Sequence, residues 1–377
     1  MLLDFNAALA DPRIGGANGI LRLGNAARSP ADYLLATILP ERDVMSYIAR
    51  GGRMIVRNTM AGAVGMDSKD PEGGAMELSS FMEEIAKIGI STRLQEQVII
   101  ELQERAKQIL ISGGGTGDLA VRTVLNFVNK LLLQPHYDRR EWLRSEALFY
   151  GEIDWKFNGV ALKVDYQIPT ANKFATRTGN DAYGGSASKF WDDWKAARKI
   201  LGSAFRGAIT SRDTIDEIIH NPVNRIIPTS DDGTTVQFVK YEGSADGLRP
   251  QSLDARERGV LIAYDKEGEV WDLDNPGKTK KTRISGPHGV LGFFGADGRM
   301  HDFIPDEGAT VDPDNDRALG YSHIGPTVEN GGQTGIWTRV YTPEDMPQHL
   351  AGNARGRFLP VIEAPENIVL ASTALGA

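Results

Sequence analysis

The sequence predicts an α+β fold, and three observations carry that prediction. A long apolar helical stripe runs from Asp118 to about Tyr150. Strand-period alternation follows it at 151–169 around Asn158-Gly159, the strongest short signal for a two-residue hairpin turn. Residues 186–220 then place two helices around a short strand, ahead of a turn-dense, strand-rich second half.

Taken in order, residues 1–32 hold Gly15, Gly16, Gly19 and Gly24 among isolated apolar residues. That pattern is too interrupted for a helix of more than two turns, so an extended arm is expected. From Arg53 to Met66 the residues favour strand, a polar tip follows at 67–74, and Ala75 to Ile90 returns, making one long hairpin. An outgoing run from Arg53 to Met66 would reach roughly 45 Å, far beyond the usual strand of about five or six residues. Its apolar residues, Met54, Val56, Met60, Met66, Leu78 and Phe81 among them, fall on both faces, which in isolation would expose an adhesive edge. A neighbouring subunit is the natural cover, and these six with Arg53 and Arg57 are the candidate interface residues.

Ser91 or Thr92 can cap a helix whose stripe is Leu94, Val98, Leu102, Ala106 and Leu110, ending at Gly113. Asp118 can cap the next, through Val121, Val124, Leu125, Val128, Leu131 and Leu132 to Leu148 and Phe149, with a kink or break expected at Pro135. Ser186–Phe205 and Asp213–His220 read as helices around a strand at Ala208–Thr210. Residues 229–300 read as short hairpins, and the tail as strands at Ile336–Tyr341, Arg357–Ile362 and Ile368–Leu370.

Composition narrows the function. The 377 residues contain no cysteine, which removes disulfides, thiolate nucleophiles and cysteine-ligated metals. No stretch approaches the roughly 18 apolar residues of a membrane span, so a soluble, cytoplasmically made protein is expected. A net charge of -8 argues against a nucleic-acid reader, which needs clustered cations. Glycine, 42 residues or about 11% against an average near 7%, points to arms and turns.

No chemical motif is complete. The run Gly113–Gly117 lacks the Gly-Lys-Ser/Thr ending of a phosphate loop and follows a helix, so an interhelix turn is preferred and a nucleotide-binding enzyme is kept as the alternative of a different class. Asp312, Asp314 and Asp316 have the spacing of a calcium loop, but the sixth position is Arg317 and the twelfth His323, which favours a solvated acidic turn. The six histidines form no His-x-x-x-His pair, and no Gly-x-Ser-x-Gly elbow occurs. Trp191 and Trp194 read as one packing stripe. Arg139, Arg140 and Arg144, offset by Asp138, Glu141 and Glu146, read as an intersubunit or intrachain pairing face. Neither a catalytic residue nor a cofactor or metal site is expected.

Glu146-Ala-Leu-Phe-Tyr-Gly151 closing the long helix, then Gly159 and Val164-Asp165-Tyr166, resembles the lambda-type major capsid protein E family of tailed phages. Trp191 before a helix, Phe303-Ile-Pro-Asp-Glu-Gly308, Gly320-Tyr-Ser-His-Ile-Gly-Pro326 and Pro360-Val-Ile-Glu-Ala-Pro365-Glu-Asn367 resemble later landmarks of that family, and Leu34-Leu-Ala-Thr-Ile-Leu-Pro40 its approach to the projecting loop. The likeness spans about residues 34–377 and departs at 229–290, which is longer and a candidate surface insertion. It implies the tailed-phage capsid fold: an N-terminal arm at 1–49, a projecting loop at 50–90, a peripheral domain with its spine helix at 91–185 and 326–377, and an axial domain at 186–325. It also implies a non-enzymatic shell protein that self-assembles as pentamers and hexamers into an icosahedral head. The implied partners are a separate scaffolding protein, a portal and a decoration protein, and the shell encloses double-stranded DNA without reading its sequence. An encapsulin-like nanocompartment, which shares the fold, is the near alternative.

Overall fold

The computed structural model describes residues 4–57, 75–94, 96–112, 117–157, 160–202, 205, 207–240, 258–271, 279–284, 288–295, 319–343 and 350–374. Residues 4–40 are folded and packed, in contrast to the extended arm expected. Asp4 caps α1 (Phe5–Leu9), its carboxylate accepting from the N–H groups of Asn6 and Ala7 at 2.9 and 3.0 Å. α2 (Gly16–Asn25), α3 (Leu35–Ile38) and β1 (Glu41–Asp43) follow. The glycines that look like breakers are points of close approach. A Cβ on Gly24 would stand 2.2 Å from the carbonyl oxygen of Ile336, and one on Gly19 1.8 Å from that of Ile14. Glycine therefore lets α2 lie directly on the strand that begins at Ile336, with Ile20 buried beneath.

β2 (Ile48–Arg57) and β3 (Ala75–Glu84) form an antiparallel ribbon, and β4 (Lys87–Arg93) leaves it. Ser91 and Thr92 lie inside β4, where they pair with Asn353 and Gly352, so neither caps the following helix. Here the strand-period burial of Ile88 outweighs local cap chemistry. α4 (Glu96–Ile111) buries Ile99 and Ala106, but Val98 and Leu110 of the expected stripe are exposed.

The long helix is present as one rod. α5 (Gly117–Asn126) passes into a π-helical stretch, Phe127–Leu133, then α6 (Gln134–Ser145), then a second π-helical stretch, Glu146–Tyr150. Pro135 sits in the first turn of α6, and the rod does not break there. The wider preceding turn takes up a ring that has no N–H to donate, so the disturbance is a change of helical register. Gly151, at φ 71°, ends the rod. A Cβ there would be strained and 2.6 Å from Cδ1 of Ile168.

Next comes the hairpin β5 (Glu152–Phe157) and β6 (Val160–Asp165), where Phe157 pairs with Val160 across Asn158-Gly159, two residues outside the described set. α7 (Phe190–Leu201), β7 (Ala208–Thr210) and α8 (Arg212–His220) reproduce the helix–strand–helix unit, with the Ser211 hydroxyl accepting from the Thr214 N–H at 3.3 Å. β8 (Ile226–Asp231), β9 (Thr235–Lys240), β10 (Arg258–Ala263), β11 (Glu267–Trp271), β12 (Thr279–Arg283), β13 (Val290–Phe294), β14 (Gly320–Gly325), β15 (Ile336–Tyr341), β16 (Ala351–Ile362) and β17 (Ile368–Ser372) complete the chain.

Two sheets organise these strands. The first runs β1-β14-β16-β15, with β1 parallel to β14 and β4 also on β16; Arg357 of β16 pairs with Lys87 and with Gly325. The second runs β17-β13-β7-β10-β9-β8, with one parallel pair, β7 and β10. Most of the described residues in the span 229–290, the candidate surface insertion, are strand, and Val236, Phe238 and Leu261 are buried core residues. Outside that sheet within the span is the β11–β12 pair, a two-stranded sheet of its own.

The rod joins the cores. Leu143, Leu148 and Phe149 pack with Ile209 and Phe294 of the second sheet and Ile324 and Phe358 of the first. Val124, Phe127 and Leu132 pack with Phe5, Ile20, Tyr33 and Ile336. A third cluster is aromatic: Trp194 meets Phe205 at 5.0 Å and Phe238 at 5.2 Å between ring centres. Trp191 packs against it and donates from Nε1 to the carbonyl of Asn224 at 2.6 Å, so the expected tryptophan stripe is a packing stripe.

Candidate assembly surface

Of the candidate interface residues, Arg53, Met54, Val56 and Arg57 lie on β2, and Leu78 and Phe81 on β3. The register pairs Met54 with Leu78, Arg53 with Ser79, Val56 with Met76 and Phe81 with Gly51. Met60 and Met66 lie outside the described residues. Among the described residues β2 and β3 pair only with each other, so both outer edges of the ribbon keep backbone groups without a strand partner.

The root of the ribbon is tied to the first sheet. Val44 donates to the carbonyl of Ile324 at 3.0 Å, Ile85 to that of Tyr47 at 3.2 Å, and Phe358 to that of Ala86 at 3.1 Å. His323 Nε2 lies 3.2 Å from the carbonyl oxygen of Ser46, an atom that only accepts, so this nitrogen carries the proton. Burial lowers the pKa of His323, which keeps the ring neutral. Arg357 stacks on Tyr47 at 4.8 Å. Around this anchored root, apolar side chains face outward: Met45 is 73% exposed, with Tyr47 and Ile48 beside it in sequence.

Beneath lies a buried ion cluster that sequence reading only half anticipated. Arg144 donates to Glu41 at 2.7 Å, to Glu141 at 3.0 Å and to Ser322 Oγ at 2.9 Å, and Arg140 donates to Glu41 at 3.2 Å. Glu141 also accepts from the Leu35 N–H at 2.9 Å and the Tyr264 hydroxyl at 2.5 Å, and Glu41 from the Ser29 hydroxyl at 2.6 Å. Burial alone would raise the Glu41 carboxyl, but Arg140, Arg144 and Ser29 together hold it at about 2. Both guanidiniums also stack on Phe358, at 5.5 and 5.0 Å. Glu141 is visible in sequence as a helical neighbour of Arg144. Glu41, far away in the chain, carries no local signal.

The third arginine behaves differently. Arg139 lies over the rings of Trp142 and Trp155, 4.9 Å from each centre, and those rings meet edge to face at 6.3 Å. The other exposed apolar groups include Ile111 at 87% on α4 and Val328 at 77% in the loop before β15.

The residues behind the other readings fall largely outside the described set: positions 113–116 of the glycine run, and Asp312, Asp314 and Asp316. Among the described residues no cluster of His, Asp or Glu is arranged to hold a metal, and no helix is long and apolar enough to cross a membrane.

No protein-family profile and no curated protein matches the sequence. Solved structures do. A prophage protein of Escherichia coli CFT073, assigned as a capsid protein, aligns over 95% of this chain and 97% of its own, at 10% identity and a TM-score of 0.50. The chain has the tailed-phage capsid fold. Two other solved structures align with this capsid fold at 10% identity. A phage-related protein of Bordetella bronchiseptica RB50 covers 96% of each chain at a TM-score of 0.48, and an encapsulin of Synechococcus elongatus PCC 7942 covers 93% of this chain and 92% of its own at 0.43. The capsid fold agrees with the α+β reading of the sequence.

Proposed function

We propose that this chain is the shell protein of a tailed-phage head, of the lambda type, assembling as pentamers and hexamers around double-stranded DNA that it does not read. The observation that carries this reading is the capsid fold, aligned end to end with a prophage capsid protein. The β2–β3 ribbon, with both edges without a strand partner among the described residues, supplies what a shell contact needs. In this reading segments 91–185 and 326–377 form the periphery of each subunit and 186–325 its axial part. Arg53, Met54, Val56, Arg57, Met60, Met66, Leu78 and Phe81 meet a neighbouring subunit. Since α1 and α2 pack on their own body, the reading rests its intersubunit reach on the ribbon.

The test is electron microscopy of particles purified after expression with candidate scaffolding and portal genes. Closed icosahedral shells built of pentamers and hexamers are expected. Correctly sized closed shells from this chain alone would remove the separate scaffolding partner and favour the encapsulin alternative, and failure to form any shell would remove the proposal.

A further inference from the structure

The sequence groups Arg139, Arg140 and Arg144 as one cationic face, and the structure divides it. Arg140 and Arg144 are enclosed by carboxylates of their own chain. Arg139 is half-buried between Trp142 of α6 and Trp155 of β5, both half-buried themselves. Among the described residues it makes no ion pair and no hydrogen bond. Burial lowers its pKa, with no carboxylate acting against it. Two aromatic faces hold a guanidinium in one plane and supply quadrupole attraction, but they do not replace a counter-charge. A partly desolvated cation without a partner is a cost to an isolated subunit. A clamped fork of donors beside two tryptophans is also the composition that concentrates binding energy at protein interfaces.

We propose that Trp142, Arg139 and Trp155 form a docking site for a carboxylate side chain of a second copy of this chain. The proposal rests on the shell reading above and names one contact within it. Charge favours a protein occupant. The chain carries 50 acidic against 42 basic residues, so each copy has carboxylates to spare. Asp138 and Glu141 are engaged within the chain, by Tyr33 and Gln134 and by Arg144, and neither pairs with Arg139; a DNA backbone needs several cations together, and this site presents one. Closed symmetry would present the same acid to the same site in every equivalent subunit.

Arg139→Gln separates this contact from the fold. The melting temperature of the unassembled variant is expected to match or slightly exceed that of the wild type, because a desolvated charge is removed. The subunit concentration at which shells appear by light scattering is expected to rise by about tenfold or more. Arg139→Lys keeps the cation and adds an amine. Carbodiimide treatment of shells mixed from isotope-labelled and unlabelled subunits should then join position 139 to an Asp or Glu of a different chain, identified by mass spectrometry. Assembly of the Arg139→Gln variant at the wild-type concentration, a cross-link confined to one chain, or a defect seen only in DNA retention would each overturn the proposal. If the wild type itself forms no shells, the shell reading fails and takes this contact with it, an outcome distinct from equal assembly of the two proteins.

Discussion

Arg144 donates to Glu41 and Glu141 together and stacks on Phe358, so one side chain holds the N-terminal segment, the rod and the first sheet in register. Removing one member of such a buried set costs more than the set contributes, because the remaining charges stay desolvated. Glu41→Gln is therefore expected to lower stability by about 3 kcal/mol at neutral pH in urea unfolding. The pH dependence has a definite sign. The Glu41 carboxyl is lowered from 4.5 to about 2 on folding, so its contribution is complete above about 4.5 and fades as pH falls toward 2. The variant should lack that part of the acid slope. Glu146, at the end of the rod, shows the reverse: burial first and Glu152 second raise it from 4.5 to about 7. It is neutral in both states below about 4.5, and stability falls as pH rises from there through 7, where the folded protein must ionise it. Glu146→Gln should raise the urea midpoint at pH 8 and leave it unchanged at pH 4.

At the scale of elements, α2 sets helix propensity against packing. Alanine at Gly24 gains at most about 1 kcal/mol of propensity. Its Cβ would also meet the Ile336 carbonyl at 2.2 Å, an atom fixed by its sheet, so α2 must lift from β15 and uncover Ile20. We expect Gly24→Ala to lose about 1–2 kcal/mol net in thermal unfolding; a stabilised variant would mean that α2 is free to move. The same glycine explains why α2 was illegible in the sequence: a residue chosen for closeness to another strand looks, locally, like a breaker. Ser91 and Thr92 misled for a related reason, since cap chemistry is local and β16 is far away in sequence. The rod, the Asn158-Gly159 hairpin and the α7–β7–α8 unit were legible because their signals, a helical stripe, a turn dipeptide and a short apolar run, are complete within a few turns of chain.

For the whole molecule, the β2–β3 ribbon has strand length without strand neighbours among the described residues. Ten extended residues reach about 33 Å, and among the described residues it is the root that is bonded to the body. A chain lacking residues 55–85 is expected to keep its two sheets and a cooperative unfolding transition by circular dichroism, yet to form no shells by light scattering; shells from that variant would mean that assembly does not need the ribbon. The ribbon's existence was legible in the sequence, since its length and two-faced apolar pattern need no partner to be seen. The buried ion cluster was legible only in its Arg144–Glu141 pair, because Glu41 and Tyr264 reach the rod only once the fold is formed.

The strand β17 has a consequence for how the protein is made. It is an outer strand of the second sheet, pairing with β13 while Val369 and Ala371 help enclose the aromatic cluster, and β1 likewise waits for β14 across almost the whole chain. The first sheet cannot be completed until residue 362 has been synthesised, and the second not until residue 372. A ribosome-bound chain is therefore held in an open, topologically unfinished state, and folding waits on contacts distant in sequence, the slowest kind to form. The β2–β3 ribbon can pair early, since both its strands lie within residues 48–84, but the sheet that anchors its root is finished only near the end of synthesis.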